Sequence, residues 1–190
     1  MTVTSKGSIM MAQPDSQTLV LGKRSLHQLR SALERSLGVQ AAPLLQEAGF
    51  ASGEALSEAL RDWVSEHYGV DQPQDLDSAF LSEALSGFFA AQGWGTLSLE
   101  RLGSAVLTVD APDWAESWPG SGQYPSCHVS AGLLADVFSR LAGGQFAAME
   151  VECRSRGDAR CRFLLASPET LTLVYERMTH GMSYTQALGL

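Results

Sequence analysis

Residues 149–163 of the chain read MEVECRSRGDARCRF, and this stretch decides the fold. Alternating residues on either side of a turn at 155–158 predict two antiparallel strands, over residues 145–153 and 160–165. Cys153 and Cys161 stand at the two ends of this turn, where paired strands bring opposite residues within about 5 Å of each other. Two thiolates at that distance can supply half of a tetrahedral zinc site.

Cys127 and Glu150 can complete the zinc site. Cys127 precedes a predicted helix at 130–141, and the free N–H groups at a helix start favour a thiolate. With Glu150 as an oxygen ligand the site has no vacancy, which is typical of structural zinc. Glu150 and Cys153 face opposite sides of an ideal strand, so the site needs a β-bulge or a strand end near Glu152. Glu152 and His128 are alternative ligands, and three buried free cysteines without metal are an alternative to the whole site.

The remaining pattern predicts a protein of the α/β class, of the α+β kind. Apolar residues at helical spacing predict helices over residues 26–37, 42–64, 76–91, 130–141 and 168–178, with a last short helix capped by Ser183. Gly49 and Gly53 interrupt the second helix, where they permit either a close helix contact or a kink. A first hairpin is predicted at 96–102 and 105–109. The order predicts an antiparallel sheet of two hairpins packed against helices, in a single domain over residues 21–190 after a disordered leader at 1–20.

Composition excludes several classes of function. The net charge is -8, and the basic residues form no continuous face, so no direct contact with nucleic acid is expected. No apolar run is long enough to span a membrane, and the amino-terminal residues lack the layout of a signal peptide. The odd count of three cysteines argues against a disulfide framework. These features predict a cytoplasmic protein.

Three stretches carry a family resemblance. Residues 124–139, YPSCHVSAGLLADVFS, together with 149–163, resemble the 4-vinyl reductase domain, and residues 44–56, LLQEAGFASGEAL, resemble the glycine-interrupted helix of that family. The family includes the sensor domains of phenol-responsive transcription activators, and its fold is shared with small subunits of the TRAPP tethering complex. The resemblance spans about residues 29–167. It implies a TRAPP-like or NO-signalling-like ligand-binding fold, usually homodimeric, around a pocket for a hydrophobic small molecule.

The resemblance also implies a ligand set for zinc. The phenol sensors hold a zinc ion with three cysteines and a glutamate, and the matching positions here are Cys127, Glu150, Cys153 and Cys161. Glu150 is preferred over Glu152 because the family glutamate stands three residues before the second cysteine. The phenol sensors bind the phenol hydroxyl with a tryptophan and a histidine, but Val106 stands at the tryptophan position and no matching histidine is found. Phenol is therefore not the expected ligand.

Aromatic and apolar residues are the candidates for lining the pocket. They are Trp94, Val106, Trp114, Trp118, His128, Phe138 and Phe146. Packing in the core or in a loop is the alternative role for the tryptophans, and capping or surface exposure is the alternative for His128. The sequence shows no acid/base pair, activated nucleophile or phosphate-binding loop, so the leading hypothesis is a non-catalytic, zinc-stabilised sensory domain. The alternatives are an accessory substrate-binding protein in tetrapyrrole metabolism and a TRAPP-like assembly module.

Overall fold

The computed structural model describes residues 20–190, so the predicted leader lies, apart from Val20, outside the described residues. The helices are α1 (Lys23–Leu37), α2 (Ala41–Ala51), α3 (Gly53–Tyr68), α4 (Ser78–Ala91), α5 (His128–Ala142), α6 (Pro168–Thr179) and α7 (Tyr184–Ala187). The strands are β1 (Ser98–Leu102), β2 (Val106–Ala111), β3 (Ala147–Glu152) and β4 (Cys161–Ala166). Short 3₁₀ helices lie at Gly38–Gln40, Pro73–Asp75 and Arg154–Arg156. The predicted elements are confirmed with ends shifted by a few residues, except in the second helix.

The two hairpins join into one antiparallel sheet with the order β1-β2-β4-β3. The junction is the β2–β4 pair, in which Leu107 faces Leu165 and Ala111 faces Cys161. Gly103 turns the first hairpin with a φ of 68°, and Gly157 closes the second with a φ of 105°, a region that side-chain-bearing residues rarely adopt. The predicted fold class, an antiparallel sheet of two hairpins packed against helices, is confirmed.

Each face of the sheet packs on its own apolar cluster. The inner face packs on α3, α4 and α5, and its largest buried side chains are Phe88, Phe89, Trp114, Leu133, Leu134 and Phe163. The outer face is covered by α6 and α7 through Val106, Val151, Leu164, Leu171, Val174 and Ala187. Burial on both faces explains why β4 reads as a nearly continuous apolar run.

The second predicted helix, at 42–64, is two helices, because the chain breaks between α2 and α3 at Ser52. Gly49 makes the close helix contact, since a Cβ there would overlap the carbonyl oxygen of Val129 on α5. Gly132 on α5 meets α2 in the same way, at the carbonyl oxygen of Gln46. Gly53 opens α3, where a Cβ would overlap the carboxylate of Asp136. Both glycines therefore make close contacts with α5, which is the first of the two roles that the sequence left open, and the break between α2 and α3 falls between them at Ser52.

Candidate metal centre and ligand cavity

Three segments bring the four predicted metal ligands together. Cys127 immediately precedes α5, Glu150 lies on β3, Cys153 follows the end of β3, and Cys161 begins β4. The Sγ atom of Cys127 lies 3.8 Å from the Sγ atom of Cys153 and 3.8 Å from that of Cys161. The ligand atoms of all four residues lie within 4.8 Å of one another. The three cysteines are free of disulfides and fully buried.

An irregularity in β3 sets the direction of the two glutamates. The pairing of β3 with β4 shifts register between Glu150 and Glu152, which is the bulge that the spacing of Glu150 and Cys153 requires. Glu152 points instead to the outer face, where it accepts hydrogen bonds from the Tyr184 hydroxyl at 2.6 Å and the Arg160 Nε atom at 3.0 Å. His128 is half-buried and lies outside the group of four. The alternative ligands Glu152 and His128 are thus not part of the cluster.

The geometry and the chemistry of the four residues fit a metal ion. Two sulfurs at about 2.3 Å from a tetrahedral zinc ion are about 3.8 Å apart, which matches the separations from Cys127. The Oε2 atom of Glu150 accepts the Cys127 N–H at 2.9 Å, whereas its buried Oε1 atom has no hydrogen-bond partner in the described residues. A buried carboxylate oxygen without a partner is costly, and a cation would satisfy it. Three buried thiols alone do not account for that oxygen.

Burial and hydrogen bonds shift the pKa values of the candidate metal ligands. Burial, with the Cys153 sulfur as a second cause, raises the pKa of Glu150 from 4.5 to about 8. Burial also raises the pKa of the Cys127 thiol well above 9.0. Hydrogen bonds from Cys127 and Cys161 lower the pKa of Cys153, because they stabilise its thiolate. A metal ion binds deprotonated ligands, so Glu150 and Cys127 would release their protons as it enters, whereas Cys153 is already a thiolate.

A buried carboxylate in the loop before α5 fixes the start of that helix. Glu116 is 1% exposed and accepts the N–H groups of Val129 at 3.0 Å and Ser130 at 2.7 Å. The Ser130 hydroxyl also bonds Glu116 and accepts the Trp114 indole N–H at 2.6 Å. Burial raises the pKa of Glu116. Glu116 therefore holds the first turn of α5, and with it the position of Cys127, and no sequence motif had indicated this role.

Arg30 ties α1 to the same loop. Its guanidinium is 2% exposed and donates to the carbonyl oxygens of Glu116 at 3.0 Å and Ser126 at 3.2 Å. The neighbouring His27 stacks on Trp118 with ring centroids 4.7 Å apart. Arg30 is the one buried residue of α1. An arginine in an otherwise solvent-facing helix is expected to be exposed, so the sequence did not indicate that it is buried. Sequence reasoning therefore missed the contact between α1 and the residue before Cys127.

A large cavity lies at the opposite end of α5. It has a volume of about 990 Å³ between α4, the β1–β2 hairpin and the last turn of α5. Its lining includes Leu81, Leu99, Leu107, Phe138, Leu141 and Phe146. Two of the predicted pocket residues, Phe138 and Phe146, lie here. Val106 reaches the cavity rim, but it packs in the outer cluster, because strand alternation turns Leu107 toward the inner face instead.

The other predicted pocket residues lie toward the metal ligands. Trp114 is 1% exposed in the core, and Trp94 packs against it with ring centroids 5.7 Å apart. Trp118 is 41% exposed. Trp114 and Trp118 border a separate depression of about 230 Å³. Burial lowers the pKa of His128, which does not line the large cavity.

Comparisons with known proteins agree with this fold. Residues 106–166 match the family model described as the V-4-R domain, the 4-vinyl reductase domain, which confirms the resemblance over β2, α5, β3 and β4. Within residues 20–190, no helix is both long enough and apolar enough to cross a membrane. No curated protein sequence matches the chain.

The solved structures that are similar to the chain include the following three. The phenol-responsive sensory domain of the transcription activator PoxR, solved with phenol, has a TM-score of 0.58 at 21% identity, over 80% of this chain and 77% of that one. Trafficking protein particle complex subunit 3 from Naegleria fowleri, covalently bound to palmitic acid, has a TM-score of 0.54 at 9% identity, over 76% and 91%. A vinyl-4-reductase family protein from Methanocaldococcus jannaschii has a TM-score of 0.40 at 22% identity, over 65% and 92%. The first two establish a shared fold.

Proposed function

We propose that this domain binds a hydrophobic small molecule as a non-catalytic sensory module, and that one structural zinc ion stabilises it. The apolar cavity of about 990 Å³ carries this proposal. Its size is at the upper end of the range of small-molecule sites, and aliphatic and aromatic side chains form its inner wall. The similar sensory domain was solved with phenol, and the similar trafficking subunit carries palmitic acid. Both similarities support the binding of an aromatic or apolar molecule.

We assign zinc to Cys127, Glu150, Cys153 and Cys161. Three thiolates and one carboxylate are a donor set that suits zinc better than calcium or magnesium, which prefer oxygen ligands. Four protein ligands leave no position for a substrate, which supports a structural role.

The metal ligands and the cavity lie at opposite ends of α5, so different residues would stabilise the fold and bind the ligand. The 15 residues of α5 span about 20 Å, with Cys127 before its first turn and Leu141 at the cavity near its last. A ligand in the cavity would therefore not enter the first coordination shell of the metal.

Mass spectrometry of molecules that copurify with the native protein, combined with binding of the neutral fluorescent probe N-phenyl-1-naphthylamine, tests the function. Ala79 and Ala142 are exposed residues that line the cavity, so Ala79→Trp and Ala142→Trp should fill it without disturbing the core. Ala90 is exposed on α4 but lies away from the cavity, so Ala90→Trp is the matched control. We expect both cavity variants to weaken probe binding at least about tenfold while the control binds like wild type. Absence of binding to the wild-type protein would contradict the proposal.

We also propose that the chain forms a homodimer in the cytoplasm. Large apolar side chains of the first two helices and their connection are exposed: Leu29, Leu37, Val39, Leu44 and Phe50. Such a surface is typical of a subunit interface. The three free, buried cysteines suit a reducing compartment. Light scattering after gel filtration should give twice the mass of the 20.4 kDa chain, and a monomer at micromolar concentration would contradict the dimer.

A further inference from the structure

We propose that the cavity takes an apolar molecule that bears one carboxylate, and that Arg101 binds this carboxylate at the cavity mouth. The inference rests on the proposed ligand-binding function and adds the chemical class of the ligand.

The inner wall of the cavity offers almost nothing to a polar ligand. Its side chains from α4, the first hairpin and α5 are aliphatic or aromatic, and the polar lining residues are three serines and two charged residues. The Ser82 hydroxyl already accepts the Leu99 N–H at 3.2 Å. Neither histidine nor tryptophan lines this cavity among the described residues, so the site differs from one built to bind a phenol hydroxyl.

Arg101 is the one cation among the described residues that line the cavity. It lies two positions after Leu99 on β1, so both side chains leave the strand on its inner face. Within residues 20–190 it takes part in no ion pair, unlike Arg156, Arg160 and Arg162 of the second hairpin, whose side chains all contact carboxylates. The guanidinium of Arg101 is therefore available to a ligand.

Glu100, the one acidic lining residue, does not neutralise Arg101. Successive strand residues point to opposite faces, and the Glu100 carboxylate lies 3.9 Å from Arg162 on the outer face. The chain as a whole is acidic, with a net charge of -8. Charges elsewhere on the surface are screened beyond about 8 Å at physiological ionic strength. The guanidinium of Arg101 therefore determines whether the cavity mouth attracts an anion or a cation.

An arginine at the mouth of an apolar cavity matches an amphipathic anion. The guanidinium presents paired N–H donors that fit the two oxygens of a carboxylate. The hydrocarbon part of the ligand would lie against the apolar inner wall of the cavity. A medium-chain or long-chain monocarboxylate has this shape and charge. All three cysteines of the chain are buried in the candidate metal group, so the described fold offers no cysteine at the cavity for covalent attachment and supports reversible binding.

The test measures how dodecanoate and 1-dodecanol displace N-phenyl-1-naphthylamine from the full-length, metal-loaded protein. The two competitors have the same chain length, so their difference isolates the carboxylate. We expect dodecanoate to bind wild type at least about tenfold more tightly than dodecanol, and Arg101→Gln to remove this preference while dodecanol binding stays unchanged. Arg61 is exposed, has no ion pair within residues 20–190 and lies away from the cavity, so Arg61→Gln should behave like wild type.

The outcomes separate the two proposals. Equal displacement by dodecanoate and dodecanol, or an unchanged preference in Arg101→Gln, overturns the carboxylate assignment and leaves the hydrophobic ligand site in place. Failure of the probe itself to bind overturns both. Equal loss of dodecanoate and dodecanol binding in Arg101→Gln would show that Arg101 supports the fold of the hairpin instead of the ligand, and also contradicts the inference.

Discussion

Glu150 and Glu152 are two positions apart and carry the same side chain, but they point to opposite faces of the sheet. Without the register shift in β3, Glu150 would face away from the cysteines. With it, one Glu150 oxygen reaches the Cys127 N–H and the other lies buried without a protein partner among the described residues. Glu152 joins Arg160 and Tyr184 in the polar network under α7. The shift therefore assigns one glutamate to the metal group and the other to the outer face.

Replacement of Glu150 by glutamine should weaken zinc binding by more than about tenfold, because the amide lacks the negative charge that the ion requires. Competition with a chromophoric zinc chelator measures the affinity. Glu152→Gln is the matched control, since it removes the same charge on the outer face. Similar affinities in the two variants would show that Glu150 is not a ligand.

In a chelator, the stability of the protein should change little between about pH 5 and pH 8. Folding raises the pKa of Glu150 from 4.5 to about 8, so the folded state holds a proton there that the unfolded state has released. Folding lowers the pKa of Cys153 from 9.0, so the folded state has released a proton that the unfolded state still holds. The two effects on stability have opposite signs and about equal slopes over this range. Urea unfolding at pH 6 and at pH 7.5 should therefore give free energies within about 1 kcal/mol of each other. A fall of about 2 kcal/mol would contradict the Cys153 thiolate, and a rise of that size would contradict the protonated Glu150 carboxyl.

At the scale of elements, α2 and α5 cross with their backbones in contact at Gly49 and Gly132. This contact places the start of α5, and therefore Cys127, against the rest of the helical layer. The loop before α5 supports the same turn through Glu116 and Arg30. The candidate metal centre thus depends on elements that contribute no ligand.

Gly49→Ala should destabilise the fold by about 2 kcal/mol or more, because its Cβ meets a backbone carbonyl that cannot move without separating the helices. Gly87→Ala is the control: its Cβ would lie 3.5 Å from Trp63 on an exposed part of α4, and higher helix propensity should stabilise it by up to about 1 kcal/mol. Urea unfolding measures both. Equal effects would mean that the crossing is not a tight contact.

The sequence predicted the elements that are set by neighbouring residues. It did not predict the features that depend on contacts between residues far apart in the chain. Strand alternation and Gly157 marked the second hairpin, and the spacing of Glu150 and Cys153 required the bulge that the structure contains. The break at Ser52 was missed, because apolar spacing continues across it and only the contact with α5 explains Gly49. Arg30, Glu116 and Arg101 were missed, because charged residues carry no periodic signal and the partners of Arg30 and Glu116 are not their neighbours in the sequence.

At the scale of the whole molecule, two apolar clusters lie on either face of one sheet, and the four candidate zinc ligands connect the second hairpin to α5. The cavity lies at the other end of α5, bordered by the first hairpin and α4. We therefore expect zinc to stabilise the fold at one end of α5 while the cavity at the other end binds a ligand.

Removal of zinc should lower the thermal midpoint by about 10 °C or more, because an ion bound only to the native state contributes its binding free energy to stability. Scanning calorimetry before and after chelation measures the change. Restoration by one equivalent of zinc, without recovery by magnesium, is the expected control. An unchanged midpoint after complete metal removal would contradict a structural role.

Zinc K-edge X-ray absorption of the protein purified without chelator, recorded with and without bound ligand, tests whether the metal site is structural and separate from the cavity. We predict one zinc ion per chain with three sulfurs at about 2.3 Å and one oxygen at about 2.0 Å, unchanged when the cavity is filled. A first shell with fewer sulfurs, or a shell that changes when the ligand binds, would contradict a structural zinc site separate from the cavity.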